Sequence, residues 1–362
     1  MSKLLPRPQK ILIIRLSSLG DIILTTPLIR VLRKRYPDAR LDMLTKESFS
    51  SLPEETGKID QSWAFPGNRR FKKKLIKTLA RENYDTIIDL QDTFSSRVLV
   101  ARLNPKKLYR FRRSRLNRWI RIHIPSLRSS LETPLPIMLG YLKAVEPLLV
   151  RDDGHGAELT VNPSALVVIT QRLAKFRAEN GLSGNMQPLI IAPGARHLTK
   201  TMPADKWVEF LHIARTEGFN FQIIIGSEAD GLIAKQITEK YQQGILDLTG
   251  STTIPELIAL VSTANVLVTG DSAPMHIAAA VNTPLVAVFG STVPEFGFAP
   301  IRCRHRIIEI KNLTCRPCHA HGLDKCPRKH FRCMMDIQPE DIMNAVREIV
   351  PVTKQAPVES RQ

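Results

Sequence analysis

Apolar residues along this chain fall into short unbroken runs that alternate with stretches of helical spacing. The run at residues 11–15, within KILIIRL, reads as a buried parallel strand. It is followed by IILTTPLIRVLRKRYP, where Ile22, Ile23, Leu28, Val31 and Leu32 recur on one helical face up to Tyr36. LDMLT at 41–45 predicts a second strand, residues 72–82 a helix, and YDTIIDLQ at 84–91 a further strand. After a proline-rich stretch at 125–163 and the loop DDGHG, a helix over 165–180 leads into a second series. PLIIAPGA, FNFQIIIGSEAD, ILDLTG, ANVLVTGDSAPMHIAAA and PLVAVFGST each bring a strand into a turn, and PEDIMNAVREIV from Pro339 predicts a last helix. The alternation is that of an α/β protein with two doubly wound, Rossmann-like domains. The expected boundaries are residues 1–163, a linker at 164–186, a second domain at 187–337, and a helix and tail at 338–362.

The turns of the two halves differ in chemistry. Rossmann openings usually carry several glycines that let the backbone approach a pyrophosphate. Here the first turn, SSLGD, has Gly20 alone, followed by Asp21 at the helix mouth. A carboxylate suits the positive end of a helix but repels a phosphate placed there. In the second half PGA, GSE, TGDS and FGST all put small residues at strand ends. GDSAPMHIAAA is the best phosphate candidate: Gly270 permits the turn, Asp271 or Ser272 can cap the helix, and small residues allow close approach to free helix N–H groups. A nucleotide on the second domain would leave Asp21 facing it, free for acid–base chemistry or serving only as a helix cap.

Charge sharpens the contrast between the halves. The 362 residues carry a net charge of +18. Residues 1–160 hold 31 Lys+Arg against 16 Asp+Glu, and residues 161–362 hold 21 against 18. No acid occurs between Asp92 and Glu132, an interval that contains Arg97, Arg110, Arg112, Arg113, Arg115 and Arg118 among others; a second basic cluster, NRRFKKKLIK, includes Arg69 and Arg70. Arginine forks match phosphate and carboxylate oxygens, so a polyanionic partner is expected. Nucleic acid fits poorly, because only Tyr109, Phe111 and Trp119 interleave the arginines. No run approaches the ~18–20 apolar residues of a membrane span, no signal peptide is evident, and five unevenly placed cysteines do not form a secreted disulfide framework. The expected location is cytoplasmic.

Three blocks in order resemble glycosyltransferase family 9, the ADP-heptose:lipopolysaccharide heptosyltransferases. They are KILIIRLSSLGDIILTTPLIRVLRKRYPDARLDML, IAPGARHLTKTMPADKW and TGDSAPMHIAAAVNTPLVAVFGSTVPEFGFAP. The resemblance implies a GT-B fold, two Rossmann-like domains across a cleft, with the acceptor on the first and the nucleotide-sugar on the second. It implies inverting transfer of heptose from ADP-heptose to the lipopolysaccharide inner core, with Asp21 as general base and Lys200 on the donor's phosphates. Asp271 would contact the donor near its sugar, with Thr199, Ser272, Ala273, Met275 and His276 around it. Asp230, or alternatively Glu228, would bind the ribose. On this reading Arg69, Arg70, Arg97, Arg110, Arg112 and Arg113 suit an acidic, phosphorylated acceptor, and the basic half draws the protein to the anionic inner leaflet as a peripheral protein. No nucleic-acid partner is implied.

The residue types suit such a transfer on chemical grounds as well. One carboxylate must take the proton of the attacking hydroxyl, and positive charge must stabilise the departing diphosphate, which Lys200 and a helix N-terminus supply without a metal. Like charge near the diphosphate is expected to raise the pKa of Asp21. The chain departs from the family pattern at Ala273, where glycine is common, at Met202, where tryptophan is expected, and at GST from Gly290 in place of glycine–proline, which leaves another donor sugar or a later acceptor open. CRPCHAHGLDKCPRKHFRC gathers Cys315, Cys318, Cys326 and Cys333, a spacing that fits a structural zinc site as well as a loop of reduced thiols. A nicotinamide dehydrogenase would require G-x-G-x-x-G after the first strand, and LSSLGD fails that test.

Overall fold

Lys10–Ile14, four of whose five residues are buried, forms the central strand β1 of a five-stranded parallel sheet. Its fellows are β2 (Arg40–Lys46), β3 (Gln61–Phe65), β4 (Thr86–Asp89) and β5 (Lys107–Arg110), in the order β3-β2-β1-β4-β5. Ile11 registers with Leu41 on one side and Thr86 on the other. The second sheet is also parallel: β6 (Leu189–Ala192), β7 (Gln222–Ile224), β8 (Leu246–Asp247), β9 (Val266–Gly270), β10 (Leu285–Phe289) and β11 (His305–Glu309), ordered β11-β10-β9-β6-β7-β8. The structure, a computed structural model, describes residues 7–350, so the basic start and the tail beyond Val350 lie outside the described residues, as does the side chain of Arg69.

The strand order reverses between β1 and β4 in one sheet and between β6 and β9 in the other, and ligands of open α/β sheets bind outside the carboxyl ends at such points. The segments leaving those four strands carry Asp21, Gln91, Lys200 and Asp271, and all four residues line one cleft of about 1460 Å³. An apolar core continues from the first domain into the second, from Ile11, Ile13 and Ile22 to Ile258, Met275 and Ile277. Backbone hydrogen bonds also cross, from Leu159 N–H to the Ala280 carbonyl (3.1 Å) and from Ile137 N–H to the Gly297 carbonyl (2.9 Å).

The expected first helix is two, Leu19–Ile23 and Thr26–Arg35, with Pro27 setting the start of the second. The helix expected over 165–180 is present as Pro163–Glu179; it packs on the helix Ile254–Ser262 and stacks Phe176 on Phe221 at 5.7 Å. The DDGHG loop joins the domains through its two aspartates. Asp153 takes a two-point hydrogen bond from Arg30 of the first domain (2.7 and 2.8 Å), and Asp152 takes one from Arg302 of the second (2.7 and 2.5 Å).

Candidate active site

Asp21 is the third residue of the short helix Leu19–Ile23, and it reaches back to the residue that opens it. Its Oδ2 accepts from the Ser18 N–H (3.1 Å) and from the Ser18 hydroxyl (2.8 Å). Its Oδ1 accepts from Arg15 Nη2 (2.5 Å) and Arg113 Nη2 (2.8 Å). Four lone-pair positions thus hold four donors. Burial would raise this carboxyl's pKa, but Arg15, Arg113 and Ser18 outweigh it and hold Asp21 at about 2. Within the protein alone the positive charge of two guanidiniums dominates the site, and the like charge of a diphosphate would act against it. Capping and acid–base placement are also not alternatives here, since one oxygen closes the helix turn while the side chain lines the cleft.

The opposite wall comes from the ends of β6 and β9. Lys200 Nζ lies 2.7 Å from Asp271 Oδ2, and the Thr292 hydroxyl donates to the same oxygen at 2.7 Å. Asp271 is therefore no helix cap; Ser272 occupies the cap position of the helix Ala273–Ala280. The N-terminal turn of that helix brings Ser272, Ala273 and Pro274 to the cleft. Asp230 lines the cleft too and caps its own turn, accepting from the Ser227 N–H (2.8 Å) and hydroxyl (2.7 Å); Glu228 is exposed and outside the lining. Its neighbour across the turn must be small, because a β-carbon at Gly194 would overlap the Asp230 carboxylate.

His276, on the same helix as Ala273, is buried with its ring against Gly20 of the first domain. Burial lowers its pKa, opposed by the charges of Asp271 and Asp21, so the imidazole is neutral near pH 7 and faces both carboxylates. Two expected donor residues stand elsewhere. Met275 is fully buried in the core, and Thr199 is buried beneath the cleft floor, its hydroxyl accepting from Ser291 Oγ (2.9 Å) and from the Leu323 N–H (2.7 Å).

Of the arginines singled out for the acceptor, Arg113 lines the cleft, stacked over Phe298 at 4.9 Å. Arg97 pairs with Asp92 (2.9 Å), and Arg110 with Asp89 (3.2 Å) and Asp92 (3.4 Å). Neither they nor the exposed Arg70 and Arg112 line the cleft. Sequence reasoning passed over Arg15, which holds Asp21, and did not single out Arg115, Arg118, His319 and His321, which do line it. Arg15 is nearly invisible in sequence, since it ends an apolar run and is buried like one of its members.

The four clustered cysteines are free thiols, Cys333 buried and the others partly so. Burial, then their mutual negative charge, raises Cys333 to about 12 and raises Cys318. Cys315 Sγ lies 3.7 Å from His330 Nε2. Among the described residues no group of three or more His, Cys, Asp or Glu is arranged to hold a metal ion, so the zinc-like spacing is not matched by a ligating geometry.

Comparison with known proteins matches this architecture. A family model described as glycosyltransferase family 9 (heptosyltransferase) matches residues 72–325. The chain is 31% identical over 354 residues to lipopolysaccharide heptosyltransferase 3 of Escherichia coli (strain K12), spanning 92% of this chain and 95% of that protein. The crystal structure of a family 9 glycosyltransferase from Veillonella parvula superposes with a TM-score of 0.75 at 19% identity, covering 94% and 97% of the two chains. E. coli ADP-heptose lipopolysaccharide heptosyltransferase II gives 0.69 at 22% identity, covering 93% and 98%. Two parallel-sheet domains, the cleft between their switch points and the extent of these matches lead to one assignment: the chain belongs to glycosyltransferase family 9, the heptosyltransferases of the lipopolysaccharide core, and is a glycosyltransferase of GT-B fold.

Proposed function

We propose that this enzyme transfers heptose from ADP-heptose to the lipopolysaccharide inner core with inversion, Asp21 serving as general base. The observation that carries the reading is the confrontation of Asp21 from one domain with the Lys200–Asp271 pair from the other across a single cleft, with neutral His276 between them. The diphosphate end of the donor lies at Lys200 and the N-terminal turn of the helix Ala273–Ala280, where a lysine charge and free N–H groups meet it. Asp230 takes the ribose hydroxyls.

In the reaction the acceptor oxygen forms a bond to the anomeric carbon on the face opposite the diphosphate. The bond from that carbon to the phosphate oxygen breaks, its electron pair leaving with ADP, and the hydroxyl proton passes to Asp21. Ser18 is exposed at the cleft and its hydroxyl is a rotor, so turning that O–H away frees a lone pair on Oδ2 for the acceptor. Arg15 and Arg113 meanwhile fix the other oxygen. With a pKa of about 2 the base is ionised at every physiological pH, and its proton transfer belongs late in bond breaking. Lys200 and the helix N-terminus balance the charge of the leaving diphosphate, and no metal is required on this reading.

The arginine-rich first domain suits a phosphorylated, acidic acceptor held at the anionic inner leaflet, with the enzyme cytoplasmic and peripheral; no described helix is long and apolar enough to cross a membrane. The test is ADP release from ADP-heptose with a Kdo-lipid A acceptor, then with a monoheptosylated one, for the wild type and Asp21→Asn. Acceptor-dependent release that the substitution abolishes supports donor, base and step together. ADP binding with no release on either acceptor overturns the donor or acceptor assignment, and absence of ADP binding overturns the reading.

A further inference from the structure

The helix Arg115–His123 presents Arg115, Arg118 and Trp119 to the cleft, and the cysteine-bearing loop of the second domain brings His319 and His321 to the same cavity. Arg115 and Arg118 are three residues apart and so share a face of their helix. Three neighbouring arginines are engaged. Arg113 pairs with Asp21, Arg121 donates to Asn117 and to the carbonyls of Leu131 and Glu132, and Arg128 donates across the domain boundary to the carbonyls of Thr314 and Arg316. Among the described residues the side chain of neither Arg115 nor Arg118 has a hydrogen-bond or ion-pair partner.

Arg118 is only partly exposed, and burial lowers its pKa, with Arg113 and Arg115 adding like charge. A half-buried guanidinium beside other cations, with no ion-pair partner and only the Asp21 carboxylate acting on it from beyond pairing distance, is an unfavourable arrangement that an anion would relieve. The donor's diphosphate has its own cations on the opposite wall at Lys200, so a second anion is called for on the acceptor side.

We infer that Arg115 and Arg118, faced by His319 and His321 from the other domain, form a binding site for a phosphate ester on the acceptor sugar. The inference rests on the acceptor-domain reading above and adds a recognition site to it. A phosphate presents three oxygens to two guanidinium forks, and the imidazole N–H groups close the shell from the second domain. Because Arg113 links this helix to Asp21, the site sets where the neighbouring hydroxyl stands relative to the base, and it joins acceptor binding to approach of the loop that carries His319 and His321.

The experiment is calorimetric titration of glucose 6-phosphate, with glucose as the uncharged control, into the full chain saturated with ADP. Saturation keeps the probe out of the donor site. Binding of the phosphate ester and not of glucose is expected, weakened about ten-fold or more in Arg118→Gln and in Arg115→Gln, with ADP affinity unchanged in both. Unchanged affinity in both variants, or no binding to an ADP-saturated wild type, overturns the site. ADP affinity measured alongside shows that each variant is folded. If the wild type does not bind ADP, the donor reading fails separately, and titration of the probe alone still decides this site by its sensitivity to the two substitutions.

Discussion

The α-carbon of Gly20 lies against the imidazole of His276, so close that a β-carbon at residue 20 would overlap the ring. Gly20 belongs to the short helix after β1 and His276 to the helix after β9, so this contact is where the two switch points of the fold meet. The single glycine of this segment admits a side chain from the other domain. His276 is buried and cannot swing clear.

Gly20→Ala should thus separate Asp21 from the Lys200–Asp271 pair while leaving each domain intact. A displacement near 1 Å in a reacting geometry costs on the order of 10²-fold in rate. The expected result is a kcat lowered by about that factor, with ADP affinity within a few-fold of wild type. Activity equal to wild type would show that the contact does not set the reactive spacing.

Asp21→Asn removes the proton acceptor but keeps the shape, and kcat should fall roughly 10²–10⁴-fold. The pH profile tests the electrostatics. A general base works ionised, so activity attributable to Asp21 is lost as pH falls through its pKa, which lies at about 2, well below the range of ordinary assays. Removing a nearby positive charge raises a carboxyl pKa, so Arg113→Gln should move the acid limb of kcat/KM upward. An acid limb that stays in place, or moves down, would show that Arg113 does not tune Asp21.

Lys200→Met should lower kcat by roughly 10²–10³-fold, since the lysine meets charge that grows on the leaving diphosphate. It also strips Asp271 of its partner 2.7 Å away, so an unpaired carboxylate then faces the donor. Asp271→Asn in the same chain removes that repulsion. The double variant should bind ADP more tightly than Lys200→Met alone, and equal or weaker ADP binding by calorimetry would rule out the pair as a donor-phosphate site.

Buried strands and their turns were readable from the chain because a central parallel strand is apolar on both faces. β1, β4, β6, β9 and β10 all announce themselves in this way, and the residues at their ends include Asp21, Lys200 and Asp271. The strands that went unseen, β3, β5 and β11, are all sheet edges. KLYR of β5 and HRIIE of β11 carry cations on a half-exposed edge, and β5 lies inside the arginine-rich interval that reads as a charged surface. The same interval hid the distinction among its arginines. Arg97 and Arg110 are neutralised by Asp92 and Asp89, which precede the acid-free stretch in sequence but pack beside it in space, while among the described residues Arg118 has no ion-pair partner. Ion pairing between strand ends has no local signature, and neither does the hold of Arg15 on Asp21.

The junction between domains offers a test that does not depend on the reaction. Adjacent aspartates of the DDGHG loop face opposite ways, Asp152 to Arg302 and Asp153 to Arg30. The Arg30 hydrogen bond, joined by the His155 N–H and then the Arg30 charge, outweighs burial and lowers Asp153 from an ordinary 3.8 to about 2. A carboxyl depressed on folding contributes stability above its unfolded pKa and loses it as pH falls through the folded one. Here the contribution is complete above about pH 5 and decays between about 4 and 2. A shift of this size corresponds to about 2 kcal/mol, or roughly 3 °C in Tm for a chain of this length. Asp153→Asn should therefore melt about that much lower than wild type at pH 7, and the gap should narrow as pH falls below 4. Arg30→Met should shrink the pH-dependent part of the gap, since only His155, through its N–H and its charge, then lowers Asp153. A gap that stays constant or widens toward acid would mean that the Arg30–Asp153 pair does not hold the junction loop to the first domain.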